Sequence, residues 1–193
     1  MPISERRDRD RAQRHKLILR AAREIAEKEG WAAVTTRRLA ERVEYSQPVL
    51  YSHFENKDAI VRAVMIEGFA ELSACLNAAR VAAKSGARAL QALMEAYLEF
   101  AQARPALYLA MFVLPTAVKF ASAETPPSLR AAFAEFVAVL RIFDPHPDLR
   151  AEILWSALHG MVVLTQAHRI PAEGRQARLD LLAAQIVANA GEK

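Results

Sequence analysis

Residues 35–57 read TTRRLAERVEYSQPVLYSHFENK. The stretch predicts two short helices across a tight turn, with the start of a third helix behind them. The second short helix begins with a capping serine, Ser46, and has Pro48 in its first turn, where a missing N–H costs little. It carries a cluster of polar and aromatic side chains. This layout is typical of a helix-turn-helix, whose second helix can enter the major groove of DNA.

The composition around this stretch is that of a helical globular protein. Hydrophobic residues make up 53% of the 193-residue chain and charged residues 25%, which excludes a disordered chain. Glycine occurs 6 times, and Ala, Leu, Glu and Arg far outnumber the β-branched residues. This composition favours helix throughout, in a chain long enough to bury a sizeable core.

The positive charge is concentrated at the N-terminal end. Residues 1–57 contain 13 Lys or Arg and 9 Asp or Glu, so they hold the whole net charge of +4. The segment with the helix-turn-helix pattern is therefore also the basic one, as suits a protein that binds DNA phosphates. The arginines of residues 6–14 lack an opposed apolar face, which argues against a membrane-surface helix. Residues 1–10 are expected to lie outside regular structure, and the arginines to form either a minor-groove arm or a solvated tail.

Cysteine content and the lack of other motifs limit the alternatives. The single cysteine, Cys75, excludes an intrachain disulfide and a cysteine-based zinc site, and it fits a reducing cytoplasm. No signal-peptide core, long apolar run, phosphate loop or metal-ligand spacing stands out, so we expect no cofactor, no metal and no membrane partner. A nucleophilic pair of Cys75 with a histidine would make an enzyme, but a buried structural cysteine is more common. The sequence therefore favours a cytoplasmic protein that is not an enzyme.

Apolar residues recur at helical spacing along most of the chain, which predicts about nine helices. Gly30 is placed to end the first helix, Thr35 or Thr36 to cap the second, and Asn56 to cap the fourth. The predicted bounds are about 11–29, 35–43, 46 onward, 57–80, 86–104, 105–115, 128–143, 148–169 and 174–190.

The eighth predicted helix is apolar nearly all round from residue 153 to residue 165. A helix apolar on every side is normally buried on every side. In a chain this short, one face would pack on the core and the other on a second subunit, with the last helix beside it. Two such helices from each subunit would form a four-helix interface in an isologous homodimer.

Three segments resemble the N-terminal domain of the TetR (tetracycline-repressor-like) family of transcriptional regulators. They are TRRLA at 36–40, LYSHF at 50–54 and NK at 56–57, and the similarity extends over about residues 14–65. The resemblance implies an all-α fold, a homodimer, and a C-terminal domain that binds a small effector and releases DNA.

The resemblance also implies a division of labour along the chain. Residues 1–57 would form a three-helix helix-turn-helix domain that binds DNA, and residues 58–193 a helical domain for effector binding and dimerisation. The function expected is that of a sequence-specific regulator, a repressor on a pseudo-palindromic operator, released by a small and largely apolar effector. The alternative is a helix-turn-helix protein without an effector, acting as an architectural or division-linked factor.

The turn between the two short helices departs from the family pattern. Glu44 stands where the family usually has glycine, and Tyr45 where a small aliphatic residue is common. If residue 44 keeps a left-handed conformation, a non-glycine residue there costs about 1 kcal/mol; otherwise the turn is slightly reshaped. Glu44 also places a negative charge near the DNA backbone.

Residues of the second short helix can be assigned roles on physical grounds. The N-terminal side chains of a recognition helix meet base edges, so Gln47 can pair bidentately with adenine and Pro48 can touch a thymine methyl group. The alternative for the aromatic pair Tyr51 and His53 is that they are merely exposed. The candidates for base contacts are Gln47, Pro48, Tyr51 and Ser52, and those for phosphate contacts are Thr36, Arg37, Tyr51, His53 and Lys57.

The C-terminal half contains LWSALHGMV at 154–162, which resembles the Trp-His-Gly element of one TetR subgroup. Trp155 and His159 are four residues apart and share a helix face, and Gly160 suggests a close helix contact. The two side chains either pack in the core or line an effector pocket with apolar walls. The pocket candidates are Phe69, Tyr97, Tyr108, Met111, Phe112, Phe136, Trp155 and His159.

Overall fold

The computed structural model describes residues 3–83 and 86–188, and every regular element in these ranges is helical. The predicted all-α fold class is confirmed. The short segment Trp31–Ala33 forms a 3-10 helix that the sequence analysis missed. The α-helices are α1 (Ile3–Glu29), α2 (Thr36–Arg42), α3 (Gln47–Tyr51), α4 (Lys57–Ala82), α5 (Gly86–Ala103), α6 (Pro105–Phe112), α7 (Pro127–Leu140), α8 (Pro147–Gln166) and α9 (Arg175–Ala188).

Helix α1 begins well before the predicted start near residue 11. The expectation that residues 1–10 lie outside regular structure is wrong for residues 3–10, which are helical; residues 1 and 2 lie outside the described ranges. Arginine and glutamate are good helix formers, and these residues only extend a helix whose later turns are already fixed by packing. The buried stripe that fixes them includes Ile18, Leu19 and Ala22.

Two prolines mark helix starts one residue earlier than predicted. Pro127 opens α7 and Pro147 opens α8, because proline has a helical φ and its missing N–H is not needed at the first position. The same two helices end at Leu140 and Gln166, three residues before the predicted ends. The predicted end of the last helix, residue 190, lies outside the described residues.

The described chain divides into two compact units. The first comprises residues 3–68 and 104–118, and the second comprises residues 69–83, 86–103 and 119–188. The first unit is thus larger than the predicted DNA-binding domain, residues 1–57, because it takes in the start of α4 and all of α6 as well. The functional division proposed from the sequence remains a prediction.

The first unit is built around α1, which packs against α2, α6 and the 3-10 helix, while α3 packs against α2. Glu27 of α1 accepts hydrogen bonds from the backbone N–H groups of Ala106 and Leu107, both at 3.1 Å. These N–H groups belong to the first turn of α6 and have no partner within their own helix. The indole of Trp31 donates to the carbonyl of Ala106 at 2.7 Å. Together these bonds attach α6 to α1.

The second unit has α5 at its centre, in contact with α7, α8 and α9. Its core is aliphatic and aromatic and includes Leu93, Tyr97 and Leu158, all with no exposed surface. Helices α8 and α9 also carry exposed apolar residues, which agrees with the prediction that these helices have a second apolar face in addition to the one that packs on the core. These residues are Leu149, Ile153, Val163, Leu164, Leu181 and Val187.

None of the described helices is both long enough and apolar enough to span a bilayer.

Candidate nucleic-acid interface

Helix α2 begins with a side-chain cap. Thr35 lies in extended backbone at the N-cap position, and its Oγ1 accepts a hydrogen bond from the N–H of Arg38 at 3.2 Å. This satisfies one of the free donors of the helix start, as the sequence predicted. Leu39 and Ala40 face inward, so Thr36 is left half-buried and Arg37 exposed at the surface.

The turn after α2 keeps its left-handed residue although it lacks the glycine. Glu44 has a φ of 56°. The N–H of Tyr45 donates to Ala40 O at 2.9 Å, and the N–H of Glu44 donates to Glu41 O at 3.3 Å. These two bonds form a Schellman motif, which normally has glycine at the position of Glu44. The turn is therefore not reshaped, and Glu44 bears the steric cost of that conformation.

Helix α3 presents its N-terminal side chains to solvent. Gln47, Pro48 and Ser52 are exposed, and half of Tyr51 is exposed. Ser46 is at the N-cap position with extended backbone, but its side chain makes no capping hydrogen bond. The predicted side-chain cap is thus not formed. Because Pro48 has no N–H, one of the two donors that a capping serine normally uses is missing.

The back of α3 is anchored in the core of the first unit. Leu50 has no exposed surface and Phe54 is 5% exposed. The ring of Phe54 stacks on His15 of α1 with centroids 4.4 Å apart. Ser52, just after the helix, donates from Oγ to Val49 O at 2.6 Å. The helix is therefore held from behind while its outer side chains stay accessible.

His53 lies half-buried after α3. Its Nδ1 is buried and has no hydrogen-bond partner among the described residues. Burial lowers the pKa of His53, and the charges of Arg11, His15 and Arg14 on α1 lower it further. The charged imidazolium form is thus disfavoured at this position, close to a basic stretch of helix.

Lys57 begins α4, and its Nζ donates to the carbonyl of Trp31 at 2.6 Å. Asn56 caps this helix as predicted, since its Oδ1 accepts from the N–H of Ala59 at 2.9 Å. An ammonium group has three donors, so two remain for a phosphate. The bond to Trp31 was not predicted, because nothing in the local sequence indicates which carbonyl lies nearby.

Ion pairs distinguish the basic residues of α2. Arg38 binds Glu29 through two bonds of 2.6 and 2.9 Å, and Arg42 binds Glu24 at 2.8 Å. The bond from Arg38 lowers the pKa of Glu29, as that from Arg42 lowers the pKa of Glu24. Both arginines therefore tie α2 to α1. Arg37 pairs instead with its own helix.

The ion-pair partner of Arg37 is Glu41, at 3.0 Å, and the side chains of both residues are mostly exposed. Such a pair is weak in water, so the guanidinium of Arg37 can exchange its carboxylate for a DNA phosphate.

The arginines of residues 6–14 lie on α1 and are helical. A helix is about 10–12 Å across, and the minor groove of B-form DNA is only about 6 Å wide. In this conformation the arginines do not form an extended arm, because α1 begins earlier than predicted. A contact with the minor groove stays a prediction.

Comparison with known proteins agrees with this geometry. A model described as bacterial regulatory proteins of the tetR family matches residues 18–64, and a model described as a tetracyclin repressor-like C-terminal domain matches residues 90–188. The second match alone covers half of the chain. The chain belongs to the TetR family. Regulators of this family are DNA-binding proteins and not enzymes.

Individual TetR-family relatives are similar over parts of the chain. The tetracycline repressor protein class C of Escherichia coli is 47% identical over 47 residues, which are 24% of this chain and 22% of the relative. The uncharacterized HTH-type transcriptional regulator YobS of Bacillus subtilis is 33% identical over 93 residues, 48% of each chain. The chain thus spans between about a fifth and a half of the length of these curated relatives.

Among solved structures, a protein of unknown function from Rhodococcus sp. RHA1 superposes with a TM-score of 0.75 at 22% identity. The match covers 90% of this chain and 93% of that one. At this identity the likeness concerns the fold alone.

In the second unit of this TetR-family protein, three of the predicted pocket residues lie together. The indole of Trp155 donates to the hydroxyl of Tyr97 at 3.1 Å, and the ring of Tyr97 meets Phe136 edge-on with centroids 5.7 Å apart. Phe133, which the sequence analysis missed, meets Trp155 edge-on at 6.2 Å. The local sequence around Phe133 on α7 does not indicate that this residue belongs to the cluster.

The other pocket candidates are distributed over both units. Phe69 belongs to the second unit and meets Phe120, also not predicted, at 6.1 Å. His159 is half-buried there, and burial lowers its pKa. The candidates in the first unit are Tyr108, Met111 and Phe112.

Within that first unit, Tyr108 and Phe112 have ring centroids 4.6 Å apart. The joint pocket of the candidates in both units stays a prediction.

The close helix contact predicted at Gly160 is not found in the described chain. A Cβ added there would meet no atom within 4 Å. Close approaches occur instead at Gly68, where an added Cβ would lie 2.7 Å from the sulfur of Met111 and 2.8 Å from Cδ1 of Leu107, and at Gly86, where it would meet the side chain of Ile142. Glycine at residue 68 lets α4 and α6 pack closely, whereas glycine at residue 160 faces open space in one protomer.

Proposed function

We propose that the protein is a cytoplasmic transcriptional repressor that binds a pseudo-palindromic DNA operator as a homodimer. A small, largely apolar effector releases it. The observation that carries the proposal is the exposure of Gln47, Pro48 and Tyr51 on a helix whose other side is anchored by Leu50 and Phe54. A rigid helix with polar and aromatic side chains directed outward is the form in which a helix-turn-helix reads base edges.

Two kinds of contact are assigned to this surface. Gln47 pairs with an adenine edge and Pro48 packs on a thymine methyl group, and these contacts specify sequence. Thr36, Arg37 and Lys57 bind phosphates and fix the register of the protein on the duplex. Tyr51, Ser52 and His53 complete the surface near the end of α3.

Homodimer formation is supported by the exposed apolar side chains of α8 and α9. Ile153 is 59% exposed and Leu181 is 62% exposed, although both lie on helices that otherwise pack on α5. Pairing of these helices between two copies removes the residues from water. The resulting dimer would place two recognition helices about 34–36 Å apart, one turn of DNA.

Effector release is supported by the aromatic cluster of the second unit. Tyr97, Phe136 and Trp155 offer apolar walls with one polar pair, the hydroxyl of Tyr97 and the indole N–H of Trp155. Such walls suit a small apolar or aromatic ligand. The effect of effector binding would be transmitted to the DNA contacts along α4, whose first residue is Lys57. A coupling free energy of about 1–3 kcal/mol between effector binding and DNA binding suffices for such a switch.

A DNA-binding protein without an effector is the second candidate, and close packing favours it. Tyr97 has no exposed surface, Tyr108 and Met111 are each 1% exposed, and Phe136 is 2% exposed. A thermal-shift screen of hydrophobic metabolites separates the two functions, because a ligand well above its dissociation constant raises stability. No shift across broad ligand classes would favour the second candidate.

The direct test of the proposed function is selection of bound sites from random duplex DNA, with and without the ligands that pass the screen. We expect a two-fold symmetric consensus with half-site centres about 10–10.5 bp apart, and recovery that falls when the effector is added. Recovery of sequences without symmetry or consensus would refute a dimeric sequence-specific regulator.

A further inference from the structure

The first turns of α1 carry an ordered basic face. Arg7, Arg11 and Arg14 are spaced four and three residues apart, so their side chains lie on the same side of the helix. All three are exposed. Because residues 3–10 are helical, this face is a continuous ridge of fixed spacing rather than a loose tail.

The ridge borders the end of the recognition helix. Arg7, Arg11 and Arg14 line a groove of about 280 Å³ together with Ser52 and His53, which directly follow α3. The one acidic residue in the lining is Asp10, so three guanidinium groups face one carboxylate. The groove is therefore a cationic depression adjacent to the proposed DNA-reading surface.

These arginines differ in their partners from three other arginines of the first unit. Arg20, Arg38 and Arg42 are held by carboxylates of α1 at 2.6–3.0 Å. In the part of the chain that the structure describes, no carboxylate forms an ion pair with an arginine of the groove. Their charge is therefore available to an external anion.

We propose that this groove binds a backbone phosphate of DNA outside the base pairs that α3 reads. The inference rests on the proposed docking of α3 in the major groove. In this docking the N-terminal residues of α3 contact the bases. Ser52 and His53 lie past the other end of α3, where the sugar-phosphate backbone borders the major groove of the DNA. Guanidinium groups bind phosphate oxygens through paired hydrogen bonds. The ridge thus extends the DNA footprint without adding base recognition.

His53 fits the same role. His53 lines the groove, and its Nδ1 is buried without a hydrogen-bond partner among the described residues. A buried polar atom of this kind costs free energy until a partner is supplied. Because Nδ1 is closed to solvent, the ring must turn before a phosphate oxygen, or a water molecule held by the phosphate, can supply that partner when DNA is bound.

The test compares the wild type with the double variant Arg11→Gln, Arg14→Gln. Dissociation constants are measured over a series of salt concentrations on two duplexes of about 30 bp, long enough for both half-sites. One duplex carries the selected site and the other a random sequence. Loss of one phosphate contact from each protomer of the dimer should lower the slope of log Kd against log salt by about two units, and weaken binding on the order of a hundredfold at 0.1 M salt. The loss should be the same on both duplexes, because phosphates carry no sequence information.

Two further variants control for charge and folding. Lys28→Gln removes one charge from the same helix about 20 Å beyond Arg14, and should leave the salt slope unchanged. The double variant Arg11→Lys, Arg14→Lys keeps the charges and should keep most of the slope. If it loses as much as the glutamine variant, the effect is structural and the inference is overturned.

Phosphate ethylation interference locates the contact. Ethylation of a phosphate outside the selected half-site should block the wild type and have no effect on the glutamine variant. A glutamine variant with wild-type affinity, slope and interference pattern would overturn the inference alone. A wild type that binds neither duplex would overturn the proposed function as well.

Discussion

At the scale of the single residue, Glu44 is a source of strain, as are Ala121 and His168, the other two described non-glycine residues with a positive φ. Glu44 occupies a left-handed position with a φ of 56° in a Schellman motif, where a Cβ collides with the neighbouring carbonyl. We expect Glu44→Gly to raise the free energy of unfolding by about 1 kcal/mol. In thermal denaturation this corresponds to an increase in Tm of about 2–4 °C for a chain of this size.

The matched control is Glu44→Gln, which removes the charge but keeps the Cβ. It should leave the Tm near that of the wild type. It should nevertheless bind DNA more tightly at low salt, because a carboxylate near the phosphate backbone is removed. An equal gain in Tm from both variants would show that charge, not backbone conformation, limits the stability of the turn.

His159 provides a second prediction at this scale, on the pH dependence of stability. Burial lowers the pKa of His159 below its ordinary value of 6.5, so the unfolded chain takes up a proton at higher pH than the folded chain does. The associated stability is fully present above about pH 6.5 and is lost as the pH falls through the lower pKa of the folded state. Thermal denaturation between about pH 7.5 and 5 should therefore show a weaker decline of Tm for His159→Gln. Superimposable curves would contradict this assignment.

At the scale of elements, the capping and spacing rules accounted for most of the fold. Thr35 and Asn56 cap α2 and α4 through the hydrogen bonds that the sequence predicted. The rules failed at Ser46, whose predicted side-chain cap is not formed, and where a long-range contact decides. Two features were not predicted. The first turns of α1 extend a helix that is already fixed by packing, and the 3-10 helix connects two such helices, so neither needs an apolar pattern of its own.

Helix α6 illustrates such a contact and yields a prediction. The carboxylate of Glu27 accepts two N–H groups in its first turn, where negative charge is also favoured by the helix dipole. We expect Glu27→Ala to lower the free energy of unfolding by about 1–2 kcal/mol, the range for loss of a helix cap. Urea denaturation measures it, with the neighbouring Lys28→Ala as the control that should change little. Equal effects of the two variants would exclude a capping role for Glu27.

A second set of hydrogen bonds, made by Trp31, connects α6 with the proposed DNA contacts. Trp31 donates to the carbonyl of Ala106 and accepts from Lys57. A displacement of α6 would therefore alter the position of the lysine that begins α4. Local sequence gave no sign of this chain of bonds, since all its links join residues at least 26 positions apart.

At the scale of the whole molecule, the exposed apolar faces of α8 and α9 predict self-association. We expect Ile153→Asp to shift the sedimentation equilibrium of the protein from dimer to monomer, because a charge in an apolar interface is costly to desolvate. Val81→Asp is the control, since Val81 is 67% exposed on α4 and lies outside these two helices. A wild-type protein that sediments as a monomer would contradict the proposed dimer.

The candidate site could be read from the sequence only in part. Although their DNA contacts stay predictions, the outward positions of Gln47, Pro48 and Tyr51 were predicted, since they follow from helix periodicity and from the position of Ser46. The basic groove was not predicted, because it depends on how α1 packs beside α3. In the sequence its arginines form a charged run, and such a run alone does not distinguish a helix face from a tail.

The central claim is that α3 reads bases while neighbouring side chains hold phosphates, and the most direct measurement compares Gln47→Ala with Lys57→Ala. Sites are selected from random DNA by each variant, and affinities are measured against salt. The account predicts that Gln47→Ala relaxes the preference at one position of each half-site. It also predicts that Lys57→Ala keeps the consensus, weakens binding to all sequences alike and lowers the salt slope by about one unit for each protomer of the dimer. An unchanged consensus for Gln47→Ala, or the same effect from both variants, would contradict it.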